Sequence, residues 1–295
     1  MKPARSYLFV PGNKVGWIEK AASSGADALI LDLEDSVPLA EKVAAREIVA
    51  SKIGWLAEKG QRVYVRINRS PHLYDFDDMI AVVRPGLEGI VISKPNGCED
   101  VNTASSMIAE AEMRNGRAIG TINLIPLLET ARALQFAHEI ASLSRVVAIV
   151  GATAKNADVA RSVGFIWSPE GRESLYFKSR VVIAAHAAGK RAIGGLWQQV
   201  HDLEGLKESS KRDRSLGMDG ELVLHPSNVA VVNESYTPSA EEVAYYQGMI
   251  KALDEAQAVG RASAIYDGEH IDLAHVKTAK AIVELARGFD RRQEK

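Results

Sequence analysis

The chain has 295 residues, 46% of them hydrophobic and 25% charged, the balance of an ordinary globular protein rather than a disordered one. Lys and Arg number 36 against 38 Asp and Glu, a formal net charge of −2 that argues against a nucleic-acid partner. No apolar run approaches the ~20 residues of a membrane span, and the single cysteine, Cys98, excludes an intramolecular disulfide and a cysteine metal cage.

A short apolar or β-branched run, a turn and a longer helical pattern recur along the chain. The opening MKPARSYLFVPGN reaches Pro11-Gly12 too early for a secretory signal, so a cytoplasmic protein is expected. The first strand is read at 6–10, with a helix at 14–23 after the turn. A strand at 28–33 leads to a helix at 39–58, where Val43, Ala44, Ile48, Ala50 and Ile53 recur at near-helical spacing. Strands at 62–67 and 89–93 precede a helix at 99–114. A strand at 120–128 precedes a helix at 131–143. The next strand, at 146–150, precedes a helix at 169–188 opened by Pro169-Glu170, a proline at the first position and an acid near the positive end of the dipole. Strands at 191–194 and 221–224 and a helix at 226–232 complete the series.

Several of these strands are apolar throughout, which suits a parallel sheet covered on both faces. Eight strand–helix units in about 235 residues fit an α/β protein of the TIM (β/α)8 barrel class. The alternative is an open doubly wound sheet, but its dinucleotide fingerprint is missing after the first strand, where the chain reads VPGNKVG. From Pro238 the pattern changes to two helices, at 239–260 and 273–287, joined by SAIYDGEHID with a turn signal at Asp267-Gly268. We therefore expect a barrel over 1–237 and a C-terminal helical extension over 238–295, ending in a solvated DRRQEK.

In such a barrel the chemistry sits at the carboxyl ends of the strands. The second strand ends LILDLEDS, bringing Asp32, Glu34 and Asp35 together, three acids that repel unless a cation lies nearby. They could equally be a solvated loop that caps the next helix. The third strand ends VRIN. Its Arg66 fits a substrate carboxylate bidentately, or pairs structurally with the acids of the second strand. Glu129 follows a nearly unbroken apolar run, an expensive place for a carboxylate unless it is paired or holds a metal. Asp158, beyond the sixth strand, could be a helix cap or a second ligand. Together Glu129 and Asp158 would suit Mg2+, which often takes only one or two carboxylates and fills its octahedron with water and substrate. The seven histidines form no zinc pattern, and His225 reads as a structural hydrogen-bonder.

The segments RSYLFVPGN, SGADALILDLEDSV, EKVAARE, VRIN, ISKP, LLET, DVARSVGF and LHPSNV occur in an order that resembles the β-subunit of citrate lyase and its relatives, the malyl-CoA and citramalyl-CoA lyases. The wider group is the magnesium-dependent aldolases of the phosphoenolpyruvate/pyruvate barrel superfamily, and the likeness runs from about Arg5 to about Glu242. It implies a TIM barrel that makes or breaks a carbon–carbon bond in a 3-hydroxyacyl thioester, with Mg2+ as cofactor. Glu129 then matches a metal-binding glutamate, Arg66 an arginine that contacts substrate oxygens, and Glu34 and Asp35 an acidic pair near the metal.

Two departures stand out. The family's metal-binding aspartate three residues after the strand-ending glycine falls here on Ala154, yet Asp158–Gly164 reproduces its D-x-A-x-x-x-G segment, so a four-residue insertion leaves Asp158 as the ligand. A family Gly-Lys before the eighth strand reads Gly220-Glu221, which weakens the case for free coenzyme A and leaves room for an aldolase or decarboxylase on free 2-oxoacids. The insertion also leaves room for a non-catalytic subunit with a degenerate site. The expected partners are a 3-hydroxyacyl thioester or 2-oxoacid, coenzyme A and further copies of the chain, with no nucleic acid and no membrane.

Overall fold

A computed structural model describes residues 3–293, with side chains through Phe289, so the expectation for DRRQEK lies outside the described side chains. The chain divides into two compact units, Met1–Glu234 and Ser235–Lys295.

The first unit is a parallel (β/α) barrel. In chain order it holds β1 (Ser6–Pro11), α1 (Val15–Ala21), β2 (Ala28–Asp32), α2 (Lys42–Glu58), β3 (Val63–Arg66), α3 (Phe76–Val82), β4 (Leu87–Ile92) and α4 (Cys98–Arg114). There follow β5 (Asn123–Pro126), α5 (Ala131–Gln135), α6 (Ala137–Ala141), β6 (Ala148–Val150), α7 (Asp158–Val163), α8 (Leu175–Ala187), β7 (Arg191–Gly194), α9 (Leu203–Leu216), β8 (Gly220–Val223) and α10 (Pro226–Tyr236). The strands run in the order β5-β4-β3-β2-β1-β8-β7-β6. Isolated parallel bridges Leu124↔Val146 and Leu127↔Val150 join β5 to β6 and close the barrel.

All eight expected strands are present. The strand expected at 120–128 is shorter, because Gly120 takes a positive φ of 92° and turns the chain. The helix expected at 131–143 is two short helices that break at Phe136. The helix expected from Pro169 begins instead with a 3-10 turn at Arg172–Ser174 and becomes α-helical at Leu175. Gly171, with φ 66°, interrupts the start, and Ser168 spends its N–H and hydroxyl on Glu173. Helices α3 and α9 have no counterpart in the sequence reading.

Side chains alternate across each strand. Tyr7, Ala28, Ile30, Tyr64, Val91, Ile125, Leu127, Ala148, Val150, Ile193 and Leu222 form one buried cluster with Phe9 packed against it, the filling of the barrel. The opposite parity, Leu8, Leu29, Leu31, Val63, Val65, Ile90 and Ile92, is also buried and faces the helices. The inward parity continues to the carboxyl ends, through Ala28-Ile30-Asp32 on β2 and Tyr64-Arg66 on β3. Gly12 allows β1 to end against its neighbour: its N–H donates to the Asp32 carbonyl at 2.8 Å, and a Cβ there would lie 2.7 Å from the same oxygen.

Two buried ion pairs fix the outer layer. Glu112 on α4 accepts from Arg145 Nη1 and Nη2 at 3.0 Å each, and from the N–H groups of Gly120 and Ile122 at 2.9 and 2.7 Å. Lys178 on α8 donates to Asp213 on α9 at 2.7 Å, and Asp213 also takes the Gly195 N–H at the end of β7 at 3.2 Å.

The second unit pairs α11 (Ala240–Ala258) with α12 (Leu273–Gln293). Met249, Leu253, Ile271, Val276 and Ala279 form its core. Ser239 and Glu242 make a reciprocal capping box on α11. The connecting SAIYDGEHID is a β-hairpin, β9 (Ala264–Tyr266) against β10 (Glu269–Ile271), turning on Asp267 and Gly268, both at positive φ. Among the described residues no helix is long and apolar enough to cross a membrane.

Replacing Glu112 by Ala leaves Arg145 buried and unpaired and the turn before β5 untethered. Urea denaturation should show a loss of about 3–5 kcal/mol, the usual cost of breaking a buried pair from one side.

Candidate active site

Asp32 ends β2, Arg66 ends β3, and the two stand opposite each other in the register. Arg66 donates Nε to Asp32 Oδ1 at 2.6 Å and Nη2 to Oδ2 at 2.7 Å. The Ser36 hydroxyl and the N–H groups of Glu34 and Ser36 complete the shell around Asp32. Burial alone would raise the Asp32 carboxyl, but Arg66 and these donors outweigh it and hold it below the usual carboxylate range. The guanidinium lies over the Phe9 ring at 4.9 Å.

One edge of Arg66, Nε and Nη2, is therefore committed to a structural pair, one of the two roles open to it from sequence. Its remaining nitrogen, Nη1, faces the barrel mouth, 3.1 Å from Glu34 Oε2 and 3.9 Å from Asp35 Oδ2. Burial would lower the guanidinium pKa, but Asp32 and Glu34 raise it, so the charge is permanent.

Glu34 and Asp35 sit just past β2. Glu34 Oε1 accepts from Ser93 Oγ at 2.6 Å and from Lys94 Nζ at 2.9 Å. Its Oε2 has no aligned hydrogen-bond donor. Asp35 is more exposed and accepts from Lys94 Nζ at 3.0 Å. The loop that carries both acids is fastened by Lys42, whose Nζ donates to the carbonyls of Leu33 and Glu34 at 2.9 and 2.8 Å and to Asn68 Oδ1.

Glu129 follows β5 with its carboxylate sunk into the mouth. Its Oε2 accepts the Lys94 N–H at 3.2 Å. Burial pushes its carboxyl up to about 7; Arg66 and Lys94 pull it down, and Glu34 and Asp158 push it further up. Asp158 is the first residue inside α7, whose cap is Ala157, so the helix-cap role considered from sequence is not the one it plays. One oxygen pairs with Arg161, and the other lies 3.5 Å from Lys94 Nζ.

The five residues singled out from sequence thus meet at one rim of the barrel. What joins the four acids among them is Lys94, to which sequence reasoning assigns no role of its own. The available signal is a lysine placed directly after an apolar strand in ISKP, where a cation can answer the acids of LEDS. Its backbone has φ 53°, a left-handed conformation unusual for a side-chain-bearing residue and costing about 1 kcal/mol. Such strain gathers at functional positions. Lys42 is likewise identified by its contacts, whereas Asp32 stands in the acid cluster read from LILDLEDS and turns out to be the structural partner of Arg66.

Among the described residues no three His, Cys, Asp or Glu side chains are arranged to cage a metal alone. The rim nonetheless suits a hard dication that takes few protein ligands. Among the described residues, the cations paired with or acting on Asp32, Glu34, Asp35, Glu129 and Asp158 are Arg66, Lys94 and the exposed Arg161. The surplus is two negative charges, and Glu129, which burial raises and no direct ion pair among the described residues offsets, is the acid whose ionisation is resisted. Elsewhere, Glu221, where the resemblance implies a lysine, is buried and accepts from Ser210 Oγ at 3.0 Å. His225 bonds Ser227 locally at 2.7 Å.

Because the folded carboxyl of Glu129 titrates near 7 against an ordinary 4.5, the native state holds an extra proton between those values. Metal-free protein should lose stability as pH rises from about 4.5 to about 7. Thermal melts across that window should show the slope in wild type and its loss in Glu129→Gln.

Residues 5–226 match the family model described as HpcH/HpaI aldolase/citrate lyase. The chain is 30% identical over 282 residues to a citrate lyase subunit beta of Leuconostoc mesenteroides subsp. cremoris, covering 96% of this chain and 93% of the relative. It is 30% identical over 305 residues to an L-malyl-CoA/beta-methylmalyl-CoA lyase of Cereibacter sphaeroides, covering 97% and 95%. A citrate lyase beta subunit of Mycobacterium tuberculosis, solved with oxaloacetate and magnesium, superposes with a TM-score of 0.63 at 26% identity, over 80% of this chain and 98% of that one. The barrel, the acid-rich rim and these likenesses agree: the chain belongs to the HpcH/HpaI aldolase/citrate lyase family.

Proposed function

We propose that the protein is a Mg2+-dependent carbon–carbon lyase of the citrate lyase β-subunit type. It cleaves a 3-hydroxyacyl thioester of the citryl, malyl or citramalyl class into a 2-oxoacid and an acyl thioester. The observation that carries the reading is the gathering of Glu129, Asp158, Glu34 and Asp35 around Lys94, with Arg66 against Glu34, at the carboxyl ends of the strands. The magnesium and oxaloacetate bound by the Mycobacterium tuberculosis relative support the same chemistry.

Glu129 and Asp158 would hold the ion, with water and substrate oxygens completing its shell. When bound, Mg2+ supplies Lewis-acid stabilisation of charge on those oxygens. Arg66 directs Nη1 at the oxygen that becomes the 2-oxoacid carbonyl, while its pairing with Asp32 and its stacking on Phe9 keep the group from reorienting. Cleavage needs a base for the hydroxyl proton. Glu34 Oε2, held close to Arg66 and without a donor of its own, takes that role. As the proton leaves, the C–O bond becomes C=O. The electron pair of the breaking carbon–carbon bond passes to the α-carbon of the thioester, which is then protonated. The reaction needs no redox partner, and the reading is of a cytoplasmic enzyme that works as a homo-oligomer.

Glu129→Ala should abolish Mg2+-dependent release of 2-oxoacid from malyl-CoA or citramalyl-CoA; full turnover in that variant would refute the metal assignment. Arg66→Lys keeps a charge but loses the two-point grip on Asp32. Its kcat should fall by about 10²–10³-fold, as when a preorganised oxyanion donor is removed. A steady-state assay that finds only KM changed would reassign Arg66 to binding.

A further inference from the structure

Lys94 makes more contacts in the rim than any simple salt bridge requires. Its N–H donates to Glu129 Oε2 at 3.2 Å. Its ammonium donates to Glu34 Oε1 at 2.9 Å and Asp35 Oδ2 at 3.0 Å. It lies 3.5 Å from Asp158 Oδ2, the loosest of the three pairings. The residue reaches this position through a left-handed backbone, φ 53°, so one residue spans carboxylates that follow β2, β5 and β6. Arg66 faces the same acids but is tied to Asp32, and Arg161 meets Asp158 from the exposed side.

We propose that Lys94 is the resident counter-ion of this cluster and that Asp158 is the ligand it yields when Mg2+ arrives. The ammonium and the dication compete for Asp158, while Lys94 stays fastened to Glu34 and Asp35. The metal-free site is thereby kept folded and partly neutral, at the cost of a weaker grip on the ion than its carboxylates alone would give. Loss of the Asp158 pairing, and Coulomb repulsion between a dication on Asp158 and the ammonium still held beside it by Glu34 and Asp35, amount to about a tenfold loss in affinity or more, even under strong screening. This inference rests on the metal assignment proposed above and extends it from the ligands to the residue that sets their affinity.

The test is calorimetric titration of metal-free full-length protein with MgCl2. Lys94→Met and Lys94→Gln should bind Mg2+ about tenfold more tightly than wild type, whereas Lys94→Arg, which keeps the charge, should stay within about threefold. A purely structural lysine would not separate the neutral variants from the charged one in this direction. Folded Lys94→Met and Lys94→Gln proteins that bind Mg2+ no more tightly than wild type would overturn the proposal. Wild-type protein itself supplies a second measurement. The lysine side-chain 15N resonance that disappears in Lys94→Arg should shift on Mg2+ addition, and an unmoved resonance at saturation counts against displacement even if the neutral variants do not fold. Wild type that binds no Mg2+, or Glu129→Gln that binds it as wild type does, sinks the metal assignment itself, a result distinct from failure of the lysine's role.

Discussion

The mouth of the barrel carries more acid than base, and much of the architecture around it is explained by that imbalance. Carboxylates withdrawn from water are expensive unless a cation answers them. Asp32 is answered in full by Arg66, and its carboxyl stays well ionised. Glu34 and Asp35 are answered by Lys94, with Arg66 nearby. Among the described residues Glu129 accepts a backbone N–H but makes no ion pair, and burial outweighs the pull of Arg66 and Lys94, so it is the acid whose charge is resisted. The gradient from satisfied to unsatisfied acid points across the rim toward the side where β5 and β6 end.

The opposite end of the barrel shows what balanced charge looks like in the same fold. There Arg62 grips Glu88 with Nε at 2.8 Å, and the Tyr64 hydroxyl donates to Glu88 at 2.8 Å. Arg62 and the Tyr64 hydroxyl outweigh burial, and the Glu88 carboxyl is held below its ordinary range. Burial drives the Tyr64 and Tyr7 hydroxyls upward, so both remain neutral. Between the two ends the filling is apolar. In barrels of this kind the amino end serves stability and the carboxyl end serves chemistry.

The sequence disclosed the fold well because strand periodicity and strand count are local properties. Apolar runs at 28–33 and 89–93 cannot be satisfied on a surface, and eight such runs leave few closed arrangements. The site was legible where an acid followed an apolar run, as at Glu129, or where acids clustered, as at Glu34 and Asp35. Lys94 stayed hidden because its importance lies in reaching residues 35 to 64 positions away in the chain, and nothing in ISKP reports a positive φ. The false start at Pro169 has a similar origin. Proline and glutamate there fit a helix opening by composition, but Gly171 and the Ser168–Glu173 bonds turn the chain first. Helix α9 escaped because polar residues dilute its apolar stripe, and α3 because it is only seven residues long and depends on Asp75 capping through the Asp78 N–H.

Seven of the eight joints in the barrel wall are strand ladders, whereas β5 meets β6 through two separate bridges. Glu129 and Asp158 hang from the two lips of that sparse joint. An ion held between them, as proposed, would act as a rivet across this line of the cylinder. Catalytic loading and closure of the wall would then be one event, and the amides of Val147 and Leu128, which bridge the gap, would exchange with solvent more slowly once the rivet is in place.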